Sequence, residues 1–253
     1  MEVSNLRVSL NGIVASDDDV GIYEYFGWRA FGPQRVRDAI SGTSPGDELI
    51  FEINSPGGSV MAGSEIYSVL RGAENVHTRA EIQSMAASAA SYLCLGCDEV
   101  MISPVAQMMI HLPATITDGD RTDHLRSVQM LDATRDAILN AYQLKSAGKA
   151  DRSEFRRLMN AETWLTAQDA VALGLADGIL YADDGAWPQD IVNAVGTGIR
   201  ALGAGRGMPD IAAMRAEYRE NNKQKPKDSL EDWRENARLE LERLRFLQLE
   251  EQK

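Results

Sequence analysis

The most constraining stretch of this chain is residues 49–58. Leu49-Ile50-Phe51-Glu52-Ile53-Asn54 is a short apolar run, and Ser55-Pro56-Gly57-Gly58 closes it. That pattern predicts a strand running into a tight turn. After the turn, Val60, Ser64, Tyr67, Val69 and Leu70 suit a helix, which Arg71-Gly72 ends. Val76 to Ile82 then reads as the next strand. Strand, helix and strand in such close succession build a parallel sheet, because parallel neighbours need a crossover and that crossover is right-handed.

The same alternation continues to about Asp184. A Ser/Ala-rich stretch from Ser84 is expected to form a second helix, since alanine favours helix and its small bulk permits close packing. Glu99–Ile102 and Gln107–Ile110 read as two more short strands. A long helix is expected from Arg121 to Ser146, with Leu125, Val128, Leu131, Ile138 and Tyr142 on one stripe that Thr134 interrupts. Trp164-Leu165-Thr166-Ala167 is expected to start a further helix, with Thr166 as N-cap and Asp169 completing a capping box. Gly174 ends it, and Leu175 to Tyr181 is expected to close the sheet as a strand.

Five glycines between Gly196 and Gly207 mark a linker, and a charged tail runs from Met208 to Lys253. Within the tail, Ser229 and Asp232 make a capping box ahead of an apolar stripe of Leu230, Trp233, Ala237, Leu241, Leu244 and Leu247. The expected organisation is therefore a main α/β domain at 1–184, a Gly-rich linker at 185–207 and a helical tail at 208–253. The tail's stripe is expected to dock on the body, a sister chain or another protein.

With 253 residues the chain can bury one substantial core. Lys+Arg 26 against Asp+Glu 38 gives a net charge of −12, which disfavours non-specific binding to nucleic acid or anionic membranes. No apolar run reaches membrane-spanning length, and MEVSNLRVSLNG does not read as a signal peptide, so a cytoplasmic location is expected. Cys94 and Cys97 form a C-x-x-C pair with no second pair to complete a zinc site, so they read as small apolar residues. No metal and no cofactor is expected.

Hydrolysis by a serine needs an activated hydroxyl, a base in reach, an acid orienting that base, and amide donors for an oxyanion. Only His77, His111 and His124 are available as an imidazole base. His111 is favoured because it follows an apolar strand and precedes Leu112-Pro113, a junction that holds a side chain firmly yet leaves it accessible. Ser88 lies among alanines, where serine ordinarily serves packing, and no G-x-S-x-G elbow surrounds it. The Gly57-Gly58 turn is the third element, because two glycines can present backbone N–H groups with no Cβ in the way.

Together these residues carry a family signature. Ile53-Asn54-Ser55-Pro56-Gly57-Gly58, with Ala62-Gly63 and Ile66-Tyr67, resembles the Clp protease proteolytic subunit family. Met85-Ala86-Ala87-Ser88-Ala89-Ala90 resembles its nucleophile segment, and Met109-Ile110-His111-Leu112-Pro113 its histidine segment. Trp164-Leu165-Thr166-Ala167, continuing to Gly174-Leu175-Ala176-Asp177, is similar to its closing elements. The resemblance covers about residues 45–182. It implies Ser88 as nucleophile, His111 as general base, and the amides of Gly58 and Ala89 as oxyanion hole.

The family usually places an aspartate where this chain has Glu162, which makes Glu162 the expected acid with Asp151 and Asp177 as substitutes. The resemblance also implies a crotonase-like α/β fold of repeated β-β-α units with a C-terminal helical extension. It further implies protein substrates and stacked homo-oligomeric rings joined through the helix Arg121–Ser146. No P-loop is present, so ATP would be bound by an unfoldase partner and not by this chain.

Ala161-Glu162-Thr163-Trp164-Leu165-Thr166-Ala167, the linker and the charged tail look most like the ClpP-like head maturation proteases of bacteriophages and prophages. Members of that branch cut scaffold and capsid precursors, and residues 208–253 would then contact capsid or scaffold protein or be removed by self-cleavage. Three other readings compete: a cellular subunit working with a AAA+ unfoldase, a crotonase-fold acyl-CoA enzyme, and an inactive assembly protein.

Overall fold

A computed structural model of the chain describes residues 5–182 and 210–222. The chain divides into two compact units, Met1–Pro209 and Asp210–Lys253. In the first unit the strands are β1 (Asn5–Val14), β2 (Ala30–Phe31), β3 (Glu48–Gly58), β4 (His77–Ala87), β5 (Glu99–Ile102), β6 (Gln107–Ile110), β7 (Thr163–Leu165) and β8 (Gly178–Ile179). The helices are α1 (Asp17–Tyr25), α2 (Pro33–Ser41), α3 (Val60–Arg71), α4 (Ala89–Leu93), α5 (Arg121–Ser146), α6 (Arg152–Asn160) and α7 (Ala167–Ala172). In the second unit the described residues form α8 (Ile211–Asn222), whose first amides at Ala212 and Ala213 donate to Asp210 Oδ1.

The sheet runs β2-β1-β3-β4-β5-β8, parallel throughout, with β6 pairing the far end of β4 and β7 antiparallel to β6. Strand alternation divides it into two faces. Leu10, Leu49, Phe51, Ile53, Ala80, Ile82, Val100 and Ile102 are all buried on one face, within the same core as α3 and α4 residues such as Ile66 and Leu93. The other face is a charged lattice. Arg7 contacts Glu52 at 2.8 Å and Glu81 at 2.9 Å, and Arg79 lies 3.3 Å from Glu99.

The long strand β4 decides where the site lies. Its first half pairs with β5, from Arg79–Glu99 to Ile82–Ile102, and its last residues Met85–Ala87 pair with Gln107–Met109 of β6. β4 thus bridges two parts of the sheet and ends at Ser88.

Several elements differ from the sequence reading. The helix expected from Ser84 begins only at Ala89, because Ser84 to Ala87 continue β4. Ladder bonds to β6 outweigh the helix preference of alanine, which amounts to tenths of a kcal/mol per residue. The expected turn at Asn54–Gly58 is instead the end of β3, irregular between Ile53 and Ser55, with Gly57 and Gly58 paired to Ile13 and Val14 of β1. Trp164 and Leu165 belong to β7, and α7 starts after Thr166, whose capping box with Asp169 is present as expected. The closing strand is confined to Gly178–Ile179. β1, α1, β2 and α2 had no counterpart in the sequence reading. The long helix Arg121–Ser146, the strands Glu99–Ile102 and Gln107–Ile110, and the helix end at Gly72 fall where the sequence places them. The linker at 185–207 and the helix expected from Ser229 lie outside the described residues.

Candidate active site

Ser88 is the single residue between strand β4 and helix α4. Its backbone has φ 53° and ψ −121°, a conformation L-residues rarely adopt and one that costs about 1–3 kcal/mol. This is the geometry of a nucleophile elbow, produced without the G-x-S-x-G sequence. The strain is held from both sides. The Ser88 amide donates to the Met109 carbonyl on β6 at 2.9 Å, and the Ser88 carbonyl accepts the Ser91 amide at 3.0 Å and the Ser91 hydroxyl at 2.6 Å.

His111 follows β6 directly. Because β6 pairs with the end of β4, the imidazole reaches the elbow, and Nε2 lies 2.7 Å from Ser88 Oγ. Burial pushes His111 below its ordinary value of 6.5, and attraction to Glu162 opposes that shift. The ring is therefore neutral at pH 7 and able to accept a proton.

Glu162 immediately precedes β7, and its charge acts on His111, the residue that follows β6. The last paired residues of the antiparallel β6–β7 ladder are Ile110 and Thr163, the immediate chain neighbours of His111 and Glu162. Glu162 is half-buried and, like Ser88, holds a positive φ, 48°. Neither substitute acid is brought to the imidazole by its contacts. Asp151 caps α6, accepting the Glu154 amide at 2.8 Å and the Ser153 hydroxyl at 2.6 Å. Asp177 accepts the Val100 amide at 2.7 Å and the Lys145 ammonium at 2.6 Å, bracing β5 to α5.

The strand end at Gly57-Gly58 is pressed against the elbow. A Cβ on Gly57 would lie 2.6 Å from the Ala87 carbonyl oxygen, 2.7 Å from Ser88 Cβ and 2.8 Å from the Ala89 amide nitrogen. A Cβ on Gly58 would lie 2.2 Å from the Val14 oxygen. Both positions have positive φ, 93° and 149°, so only glycine fits without displacing backbone. Ala89 opens α4, where an amide has no carbonyl one turn back to bond.

A model of the Clp protease family matches residues 39–183 of this chain, more than half of its length. The chain belongs to the Clp protease family. The ATP-dependent Clp protease proteolytic subunit 1 of Chlamydia muridarum is 33% identical over 145 residues, 55% of this chain and 73% of that protein. The corresponding subunit of Protochlamydia amoebophila is 31% identical over 143 residues, 54% of this chain and 68% of its own. The Clp protease proteolytic subunit of Ligilactobacillus salivarius is 31% identical over 135 residues, covering 53% and 67%. The chain is accordingly a serine peptidase of the Clp type, and its mixed α/β fold with a parallel sheet accords with that family.

The other histidines of this Clp-type chain stand apart. His77 begins β4, eleven residues before Ser88, with Nδ1 3.8 Å from Asp98, and His124 is exposed on α5. Glu48, His77 and Glu99 bring carboxylate and imidazole atoms within 4.8 Å of one another. Arg79 already lies between the two glutamates, at 3.8 Å and 3.3 Å, so the charged lattice accounts for the cluster. Cys94 and Cys97 are free and buried, and burial pushes the Cys94 thiol up to about 12, which makes it a poor nucleophile.

The sequence reading missed two contributors. Ser91 bonds the Ser88 carbonyl, and Tyr142 bonds Ser91. Ser91 sits three residues after Ser88, which is the one trace of its role visible in the sequence.

Proposed function

We propose that the chain is an endopeptidase working through Ser88 as nucleophile, His111 as general base and Glu162 as the orienting acid. The amides of Gly58 and Ala89 bind the oxyanion. The observation that carries this reading is the 2.7 Å contact between His111 Nε2 and Ser88 Oγ at a strained elbow. As Oγ attacks the scissile carbonyl, His111 accepts its proton, and the carbonyl oxygen becomes an anion facing the two amides. Collapse breaks the C–N bond, and His111 gives its proton to the departing amine. Water then attacks the resulting ester, again losing its proton to His111, and Ser88 is released. Glu162 steadies the imidazolium formed in each half-reaction.

The natural substrates in this reading are scaffold and capsid precursors during phage head maturation, with residues 208–253 as the contact to those proteins. Support comes from the segment Ala161–Ala167, the Gly-rich stretch and the charged tail. A second reading is favoured by the names of the relatives: a proteolytic subunit fed by a AAA+ unfoldase. In both readings the chain adopts the crotonase-like fold and assembles into stacked rings. The N-terminal half of α5 supports assembly, since Leu125, Val128 and Met130 are 45%, 54% and 45% exposed there.

A fluorophosphonate probe tests the core of the proposal. The parent should be labelled at Ser88, and Ser88→Ala should not be labelled; labelling that persists in the variant refutes the assignment. Incubation with a capsid or scaffold precursor separates the two substrate readings. Cleavage without ATP supports head maturation, whereas proteolysis that requires an unfoldase and ATP supports the second.

A further inference from the structure

The Ser88–Ala89 peptide unit carries two groups of consequence. Its C=O is held by Ser91, and its N–H belongs to Ala89, the proposed oxyanion donor. A trans peptide is planar, with C=O and N–H pointing in opposite directions, so whatever fixes the carbonyl also aims the amide.

Ser91 Oγ donates to the Ser88 carbonyl at 2.6 Å. A serine hydroxyl has one proton, so the 2.6 Å contact between Ser91 Oγ and Tyr142 Oη is a bond donated by tyrosine. Serine back-bonding inside a helix is common by itself. Here a second hydroxyl, 51 residues further along the chain, closes on it from α5. Ser91 and Tyr142 are 0% and 1% exposed, so water does not compete for these bonds. The Tyr142 ring is in turn seated against Phe155 of α6, with centroids 5.6 Å apart.

We propose that Tyr142 and Ser91 are positioning residues that aim the Ala89 amide at the oxyanion through the bonded series Tyr142 Oη, Ser91 Oγ and Ser88 O. The series also polarises the Ser88–Ala89 peptide, because an amide whose oxygen accepts a strong hydrogen bond is a better donor at nitrogen. Neither side chain touches substrate. The inference rests on Ser88 being the nucleophile and Ala89 an oxyanion donor.

An oxyanion interaction exists in the transition state and not in the bound substrate, so its loss lowers kcat and leaves KM in place. Tyr142→Phe removes only the hydroxyl and keeps the ring against Phe155. The expected result is a kcat for peptide hydrolysis, and a fluorophosphonate labelling rate, about tenfold lower, less than the 10²–10³-fold cost of deleting an oxyanion donor. KM should be unchanged, and affinity for a peptide boronate, which mimics the tetrahedral adduct, should fall in step with kcat. Ser91→Ala should behave alike, and the double variant should be no slower than the slower single one, because the two residues act in series.

Parent-like labelling by Tyr142→Phe overturns the inference. So does a rise in KM with kcat unchanged, or a double variant about a hundredfold slower, which would signal independent packing defects. If Ser91→Ala does not fold, the kcat and boronate readouts of Tyr142→Phe decide alone. A parent that takes no label at Ser88 overturns the nucleophile assignment and this inference with it, whereas a labelled parent with unaffected variants overturns this inference only.

Discussion

Replacing Gly57 with alanine tests whether the strand end and the elbow act as one unit. Two costs are expected. Gly57 has φ 93°, so alanine pays about 1–2 kcal/mol for a left-handed backbone. Its Cβ would also sit 2.6 Å from the Ala87 oxygen, where ordinary contact begins at 3.4 Å. The neighbours are backbone atoms on both sides, so relief requires β3 and the elbow to part by about 0.8 Å. Overpacking of this kind adds about 1–3 kcal/mol, and Tm should fall by roughly 5–15 °C. A shift approaching 1 Å at the nucleophile should also lower kcat/KM by about 10²-fold. Gly46→Ala is the control, since Gly46 has φ 95° but no atom within 4 Å of the added carbon. It carries the backbone cost alone and should retain parent activity. Thermal unfolding and fluorophosphonate labelling of both variants provide the comparison. A Gly57→Ala protein that labels at the parent rate and melts no lower than Gly46→Ala refutes the reasoning.

Other outcomes follow from the same geometry. Activity should fall as pH drops below 6.5, because His111 must be neutral to accept a proton and burial holds it below that value. Stability should fall there too: the unfolded chain binds the proton first, so unfolding is favoured as pH falls through the unfolded and then the folded value. Glu162→Gln removes the attraction that opposes the shift, so the acid limb of kcat/KM should move to lower pH while kcat falls by about 10²–10⁴-fold. Asp151→Ala should keep kcat within about twofold of the parent and lower stability by about 0.5–2 kcal/mol, as loss of a helix cap does; a larger loss of kcat in Asp151→Ala than in Glu162→Gln would move the acid to Asp151. Cys94 and Cys97 should resist iodoacetamide at neutral pH in the folded protein and react after denaturation, as followed by mass spectrometry.

Much of the fold was legible because its signals are local. Apolar runs bounded by turn residues, the capping box at Thr166 and the glycine after α3 depend on neighbours a few residues away, and they fall where they were expected. Ser88 and His111 were singled out as candidates because their flanking segments resemble a known pattern, and the fold brings them to 2.7 Å. What the sequence alone left open depends on pairing between distant strands. Ser84–Ala87 is helical by propensity and extended in fact, because β6 offers a ladder that only the folded chain can assemble. Among the three candidate acids, Glu162 flanks the last pair of the β6–β7 ladder beside His111, whereas Asp151 caps α6 and Asp177 braces α5, a distinction that only the folded chain displays. The Tyr142 hydroxyl, which reads as part of an apolar stripe, meets Ser91 only when α5 packs on α4. The sequence by itself thus determined the alternation of strands and helices and singled out the candidate reactive side chains. Their distances, and which candidate acid lies in the segment beside the imidazole, were decided by tertiary structure, because they depend on how strands far apart in the chain align.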